Sequence, residues 1–222
     1  MGGKPVKIGL IHATLNSLQP IVDAFQELSP QVKLLHFMDE GLIDALNETG
    51  EVTPPMVRRL IHLVEKAEES GVDGILLTCS SFSPFVNDIR PFFRTPLLAA
   101  DISMLEEAVE RGERIGVIAT VAAAGPTTTA LLKEIAAERG KTVDVQTAVI
   151  TDAFAALQAG RPQQHNELIQ RKITELAATC DVIVLAQMSM TRAVKGMPPV
   201  RVPVLTSPQI SAKAILAKVA DR

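Results

Sequence analysis

One cysteine in this chain stands where a thiol can do chemistry. Cys79 follows the segment Asp73-Gly74-Ile75-Leu76-Leu77-Thr78, which reads as a buried strand, and is followed by Ser80 and Ser81, so it falls at a strand end shortly before a helix start expected near Ser83 and Pro84. Backbone amides and the helix dipole at such a start favour the thiolate, which serves as a proton-transferring base or as a nucleophile. The other cysteine, Cys180, closes a helical stretch beside Ala177 and Ala178, ahead of the next strand, and reads as core filler. Of the four histidines, His12 ends the first strand and is the one placed for general acid–base work near neutral pH. His36, His62 and His165 fall in a strand, in a helix and near a helix start, and read as surface or core residues. Hydroxyls at Ser80, Ser81, Thr120, Thr127 and Thr128 could hold a carboxylate, because anions settle at helix N-termini such as the one expected at Gly125-Pro126. Plain capping is the competing use of each. Thr14 and Asn16 lie in the loop after His12, and Gln187 and Ser189 in another strand-end loop, all four as candidate contacts for polar substrate groups.

Composition removes several other chemistries. The formal net charge is -3 and Trp and Tyr are absent, so the chain lacks both the basic face and the stacking aromatics of a nucleic-acid binder. Two cysteines cannot close a structural zinc site by themselves, and no histidine stands at ligand spacing beside them, so no metal is expected. Neither type of glycine-rich phosphate loop is present; Gly9 and Gly116 sit inside strands. The segment Met1-Gly2-Gly3-Lys4-Pro5-Val6 has no apolar signal core, and two cysteines at this length do not make a disulfide scaffold, so a cytoplasmic location is expected. Residues 115–132 carry no charge, but Gly116, Gly125 and Pro126 break them into strand, turn and helix rather than a membrane span.

The elements that must position these residues alternate. Short β-branched runs at 6–12, 32–37, 73–78 and 96–99 are separated by amphipathic stretches at 20–28, 39–47 and 54–70. A helix is expected at 101–111. Strands then follow at 114–120, 143–149, 181–186 and 203–205, with helices at 126–139, 152–158, 162–178 and 207–220. That order is the pattern of βα units around a parallel sheet. It also restarts. Lys7-Ile8-Gly9-Leu10-Ile11 matches Arg114-Ile115-Gly116-Val117-Ile118, Asp73–Cys79 matches Asp181–Gln187, and Pro96-Leu97-Leu98 matches Pro203-Val204-Leu205, at offsets of 107 or 108. Three matches in order at nearly one offset indicate a duplicated unit. The expected architecture is α/β, two pseudo-symmetric half-domains with parallel sheets flanked by helices. The first half takes residues 1–99 plus 208–222 and the second 100–207. Ligands of open α/β sheets bind beyond the carboxyl ends of the strands, which puts the expected active site in a cleft between the halves.

These residues resemble a known family. Thr78-Cys79-Ser80-Ser81 after a buried strand is similar to the first cysteine motif of the aspartate/glutamate/hydantoin racemase superfamily, and the duplicated halves follow the same order over nearly the whole chain. The resemblance implies two cysteines flanking a substrate α-carbon, one removing a proton and the other returning one to the opposite face, with no cofactor: neither pyridoxal phosphate nor metal. It also implies a small-molecule carboxylate substrate and a homodimer. The chain departs from the pattern at the second thiol, where the offset places Gln187, a side chain that is neither acid nor base at neutral pH. The catalytic set expected is Cys79, His12 and Gln187, with Thr14, Asn16, Ser80, Ser81, Thr120, Thr127 and Ser189 binding substrate. The leading expectation is a cofactor-independent racemase or isomerase. A one-cysteine carbon–carbon lyase of the arylmalonate decarboxylase kind, and a non-catalytic binding protein on the same fold, remain open.

Overall fold

A computed structural model describes residues 5–221; residues 1–4, part of the segment inspected for a signal core, lie outside it. The first stretch of chain runs β1 (Lys7–His12), α1 (Leu18–Leu28), β2 (Lys33–Met38), α2 (Gly41–Thr49), α3 (Pro54–Glu69), β3 (Gly74–Leu77), α4 (Val86–Ile89) and β4 (Leu97–Ala99). The second runs α5 (Ile102–Arg111), β5 (Arg114–Ala119), α6 (Ala124–Glu138), β6 (Asp144–Val149), α7 (Thr151–Gln158), α8 (Pro162–Leu176), β7 (Val182–Leu185), α9 (Thr191–Val194) and β8 (Val204–Leu205), and α10 (Ser207–Ala220) follows. Two compact units result. One comprises the described residues up to Ala100 together with those from Pro208 onward; the other is Asp101–Ser207.

Each unit holds one four-stranded parallel sheet, ordered β2-β1-β3-β4 in the first and β6-β5-β7-β8 in the second. The central strands read as unbroken apolar runs because helices cover both faces, which leaves no polar side to alternate with. In the first unit, a Cβ on Gly9 of β1 would meet Ala67 of α3, whereas a Cβ on Gly74 of β3 would meet Ile215 and Val219 of α10. Gly74 is paired with Ile8, so the two glycines point to opposite faces and mark the close approach of one helix on each. A Cβ at Gly74 would lie 2.8 Å from Val219 Cγ2 and 3.0 Å from Ile215, both β-branched and stiff. Gly74→Ala is therefore expected to push α10 off the sheet and cost about 1–3 kcal/mol, read as a lower urea midpoint.

The duplication extends to single hydrogen bonds. Asp73 accepts from the Lys7 amide at 2.8 Å, and Asp181 from the Arg114 amide at 2.9 Å. Phe82 N–H donates to Cys79 O at 3.2 Å, and Met190 N–H to Gln187 O at 3.1 Å. Cys180 is fully buried among Ile118, Ile173, Ile183 and Leu185, with its Sγ 3.2 Å from where a Cβ on Gly116 would stand. Burial raises its thiol pKa, as expected of a core cysteine. Among the described residues no helix is long and apolar enough to cross a membrane, and 115–132 divides between β5 and α6.

Several boundaries differ from those read in the sequence, each with a local cause. Past Cys79 the chain takes a 3-10 path over Ser80–Phe85 before α4, because Pro84 has no N–H to give Ser80 O in an α-helical turn. The first helix is preceded by a 3-10 turn, Leu15–Ser17, capped by Thr14, whose Oγ1 accepts from Asn16 N–H at 3.3 Å. Helix α6 begins at Ala124, because this alanine, a strong helix former, extends it back past Gly125. A 3-10 turn at Met188–Met190 and α9 fill the segment after Gln187, where the sequence predicts a strand-end loop.

Candidate active site

In the first unit the carboxyl ends of β1 and β3 lie side by side and carry most of the polar groups singled out in the sequence. Cys79 leaves β3 in extended conformation (φ -111°, ψ 109°) and occupies the position that caps the 3-10 turn; its residue is about nine-tenths buried, at 9% exposure. Ser80 is half-buried beside it and Ser81 is buried. Thr14 and Asn16 are half-buried in the turn that follows β1.

His12 ends β1, as its place in the sequence suggests, and is buried there. The ring has no exposed surface and both nitrogens are engaged. Nδ1 lies 2.9 Å from Thr78 Oγ1 and 3.1 Å from Ser17 Oγ, while Nε2 lies 3.1 Å from Nδ1 of His36. The two rings stack with centroids 5.3 Å apart. Thr78 donates its hydroxyl proton to Ile11 O at 3.0 Å and Ser17 donates its own to Thr14 O at 2.9 Å, since carbonyls only accept. With both hydroxyl protons on carbonyls, the arrangement that gives every remaining donor an acceptor has His12 protonated on Nδ1, facing the two hydroxyl oxygens, and His36 donating from Nδ1 to His12 Nε2. Burial first, and the neighbouring His36 second, push His12 down to about 4, and burial also lowers His36. Buried and neutral, the ring engages Thr78, Ser17 and His36 through its two nitrogens.

In the second unit the corresponding strand ends belong to β5 and β7. Gln187 leaves β7 extended (φ -123°, ψ 143°), as Cys79 leaves β3. Its Oε1 accepts from Thr120 N–H at 2.9 Å and from Thr120 Oγ1 at 3.2 Å, which fixes the amide orientation, because only the oxygen can accept. That leaves Nε2 buried with no hydrogen-bond partner. A buried, oriented donor without a partner is the kind of group a ligand oxygen completes. Ser189 is 9% exposed, and its carbonyl accepts from Arg192 Nε at 2.9 Å. Thr127 stands at the start of α6, two residues deeper than expected. With α6 beginning at Ala124 it lies inside the first turn and donates to Ala123 O at 2.8 Å, the local use open to any helical threonine. Thr128 is buried and its hydroxyl has no partner. Among the described residues no three His, Cys, Asp or Glu side chains converge as a metal site.

Sequence reasoning missed Ser17, His36 and Thr78. A signal existed for His36: with Leu10 opposite His36 and His12 opposite Met38, the two histidines share one face of adjacent strands, two residues apart in register. The Gln187 geometry carries a stability prediction. Gln187→Leu strands the buried Thr120 N–H and is expected to cost about 1–3 kcal/mol, whereas Gln187→Glu keeps both acceptor bonds and most of the stability, as urea midpoints will show.

Fold and strand ends together define a duplicated parallel α/β protein with a thiol at one strand end and an amide at its symmetric counterpart. Its family follows from comparison. A family model described as Asp/Glu/Hydantoin racemase matches residues 8–215, and the chain belongs to that family. The chain is similar to a glutamate racemase of Picosynechococcus sp., 29% identical over 116 residues that make up 52% of this chain and 40% of the relative, so the match spans less than half the relative's length. Among solved structures, an aspartate racemase homologue from Pyrococcus horikoshii OT3 superposes with a TM-score of 0.73 at 18% identity, covering 96% of this chain and 99% of that one. The aspartate racemase of Picrophilus torridus gives a TM-score of 0.75 at 14% identity, covering 97% and 94%. At these identities the structural likeness shows the fold.

Proposed function

We propose that this chain is a cofactor-independent enzyme acting at the α-carbon of a small carboxylate, with the Cys79 thiol as its proton-transferring group. The observation that carries the reading is the placement of Cys79 at the end of β3, opening a turn that brings two serines beside it, in a chain of the racemase family. In the racemase or isomerase form of the reaction, Cys79 as thiolate takes the α-proton. The electron pair left behind moves into the carboxylate as an enediolate, and a proton then returns to the carbon. It comes from the Cys79 thiol on the face it left, or from water on the opposite face, in which case the thiol proton passes to solvent. Hydroxyls of Thr14, Ser80 and Ser81 and the amide of Asn16, all of the unit that carries Cys79, are the groups that would hold the substrate oxygens. Hydrogen bonds aimed at the developing negative charge supply much of the rate in such chemistry.

The Gln187 amide favours a second reading. Where the family pattern has a thiol, this chain has a donor that stabilises negative oxygen but moves no proton. Decarboxylation of a malonate-type acid needs one proton only. The C–C bond breaks, carbon dioxide leaves, its electron pair stays on the α-carbon, and the Cys79 thiol protonates that carbon and is itself reprotonated by water.

Incubation with aspartate, glutamate and hydantoins in D₂O, followed by NMR of the α-proton, and release of carbon dioxide from an arylmalonate, separate the two. Exchange without loss of carbon dioxide supports the first reading; release of carbon dioxide from the malonate supports the lyase. Neither signal, with thermal stabilisation by a carboxylate that is unchanged in Cys79→Ser, would mean a binding protein and overturn both.

A further inference from the structure

The second unit is an internal control for the first. By strand register and sequence offset, His12, Ser17, His36 and Thr78 correspond to Ala119, Ala124, Thr147 and Ala186. That unit closes its strand end by the same backbone bond, Ala186 N–H to Ile118 O at 2.9 Å, against Thr78 N–H to Ile11 O at 2.9 Å. Three alanines and a threonine therefore suffice for the fold. The linked polar groups occur only in the unit that bears the strand-end thiol, although burying them brings the risk that any one left unpaired is destabilising. They form one connected chain from the surface inward. His36 is exposed, its Nδ1 meets His12 Nε2 at 3.1 Å, and His12 Nδ1 meets Thr78 and Ser17, themselves 3.0 Å apart. Thr78 is the residue before Cys79, and Ser17 ties back to Thr14 O, so the inner end of the chain grips both the thiol's strand end and the 13–17 turn.

We propose that His36 is a positioning residue for the Cys79 strand end: by donating from Nδ1 to His12 Nε2 it locks His12 as the Nδ1–H tautomer, whose proton then holds Thr78 and Ser17 in place. Without that donor, His12 is free to move its proton to Nε2, and Nδ1 becomes an acceptor facing two hydroxyls that already donate to carbonyls. The grip on Thr78 is then lost. The proposal rests on the reading of Cys79 as the working thiol, and its test needs no substrate.

Long-range ¹⁵N–¹H correlation spectra of the full chain at pH 7.5 report the tautomers directly. Both His12 and His36 are expected as Nδ1–H, and a His12 ring protonated on Nε2 overturns the proposal. The second measurement is the rate of Cys79 alkylation by iodoacetamide, located by peptide mass so that buried Cys180 is not counted. His36→Ala is expected to change that rate about tenfold, within the range by which residues coupled to a site through a packed network modulate it. His36→Asn, whose side-chain NH₂ stands near the Nδ1 position, is expected to restore it. Equal rates in all three proteins, with equal urea midpoints, overturn the proposal. Should no carboxylate turn over while the alkylation rate still follows His36, the enzymatic reading fails and the positioning role stands. Should turnover depend on Cys79 while His36 variants behave as wild type, the positioning role fails alone.

Discussion

Cys79→Ala is expected to lower turnover of whichever carboxylate proves active by about 10²–10⁴-fold, the usual contribution of one positioned proton-transfer group. Cys180→Ala is the matched control. Its thiol is buried in the core of the second unit, against Leu176 and Gly116, so the substitution is expected to lower the melting temperature and leave kcat unchanged. The contrast assigns function by position rather than by residue type, since both cysteines are buried. Loss of activity in the Cys180 variant alone, or retention of it in the Cys79 variant, would remove the basis for thiol chemistry at the end of β3. Iodoacetamide gives an independent check, because inactivation should track modification of Cys79 and not of Cys180.

The second large effect is on stability against pH. His12 titrates near 6.5 in an unfolded chain and near 4 in the fold, because burial and then His36 disfavour its charged form. Between those values the unfolded state carries a proton that the folded state does not. Stability is therefore full above about pH 6.5 and falls as the pH drops toward 4, by about 3 kcal/mol if His12 acts alone. The lowered values of His36 and His165 act in the same direction. Urea midpoints between pH 4.5 and 8 should show this slope, and His12→Asn should flatten it even if its stability at pH 8 is lower. A wild-type protein equally stable at pH 4.5 and 8 would mean that the ring is not held neutral.

How much of this was legible in the sequence depends on the range over which the controlling forces act. The apolar strands and their offset of 107 or 108 report burial on both sheet faces, a property each segment carries in its own residues, so the parallel α/β architecture and its repetition could be read directly. Cys79 and Gln187 could be placed at strand ends for the same reason. His12 could not be judged from its own segment. Its burial depends on the turn at Leu15–Ser17 folding back over it and on His36 arriving from the neighbouring strand, two events set by tertiary packing. The start of α6 lies two residues before the one read from the sequence, because Ala124 extends a helix as readily as it ends a loop. The turn at Met188–Met190 and α9 are three and four residues long, too short for any hydrophobic period to show.

The exchange of helices after β4 and β8 has a consequence for the order in which the chain can mature. The face of the first sheet that bears Gly74 is covered by α10, and α10 is synthesised only after the whole of the second unit. A nascent chain that has emerged as far as Ala99 thus presents Ile8 and Gly74 on an uncovered sheet. The second unit, continuous from Asp101 to Ser207, has every one of its segments available before the first does. The half begun first is therefore the half whose segments are complete last, and the thiol-bearing sheet waits for residues encoded more than a hundred codons downstream of its last strand.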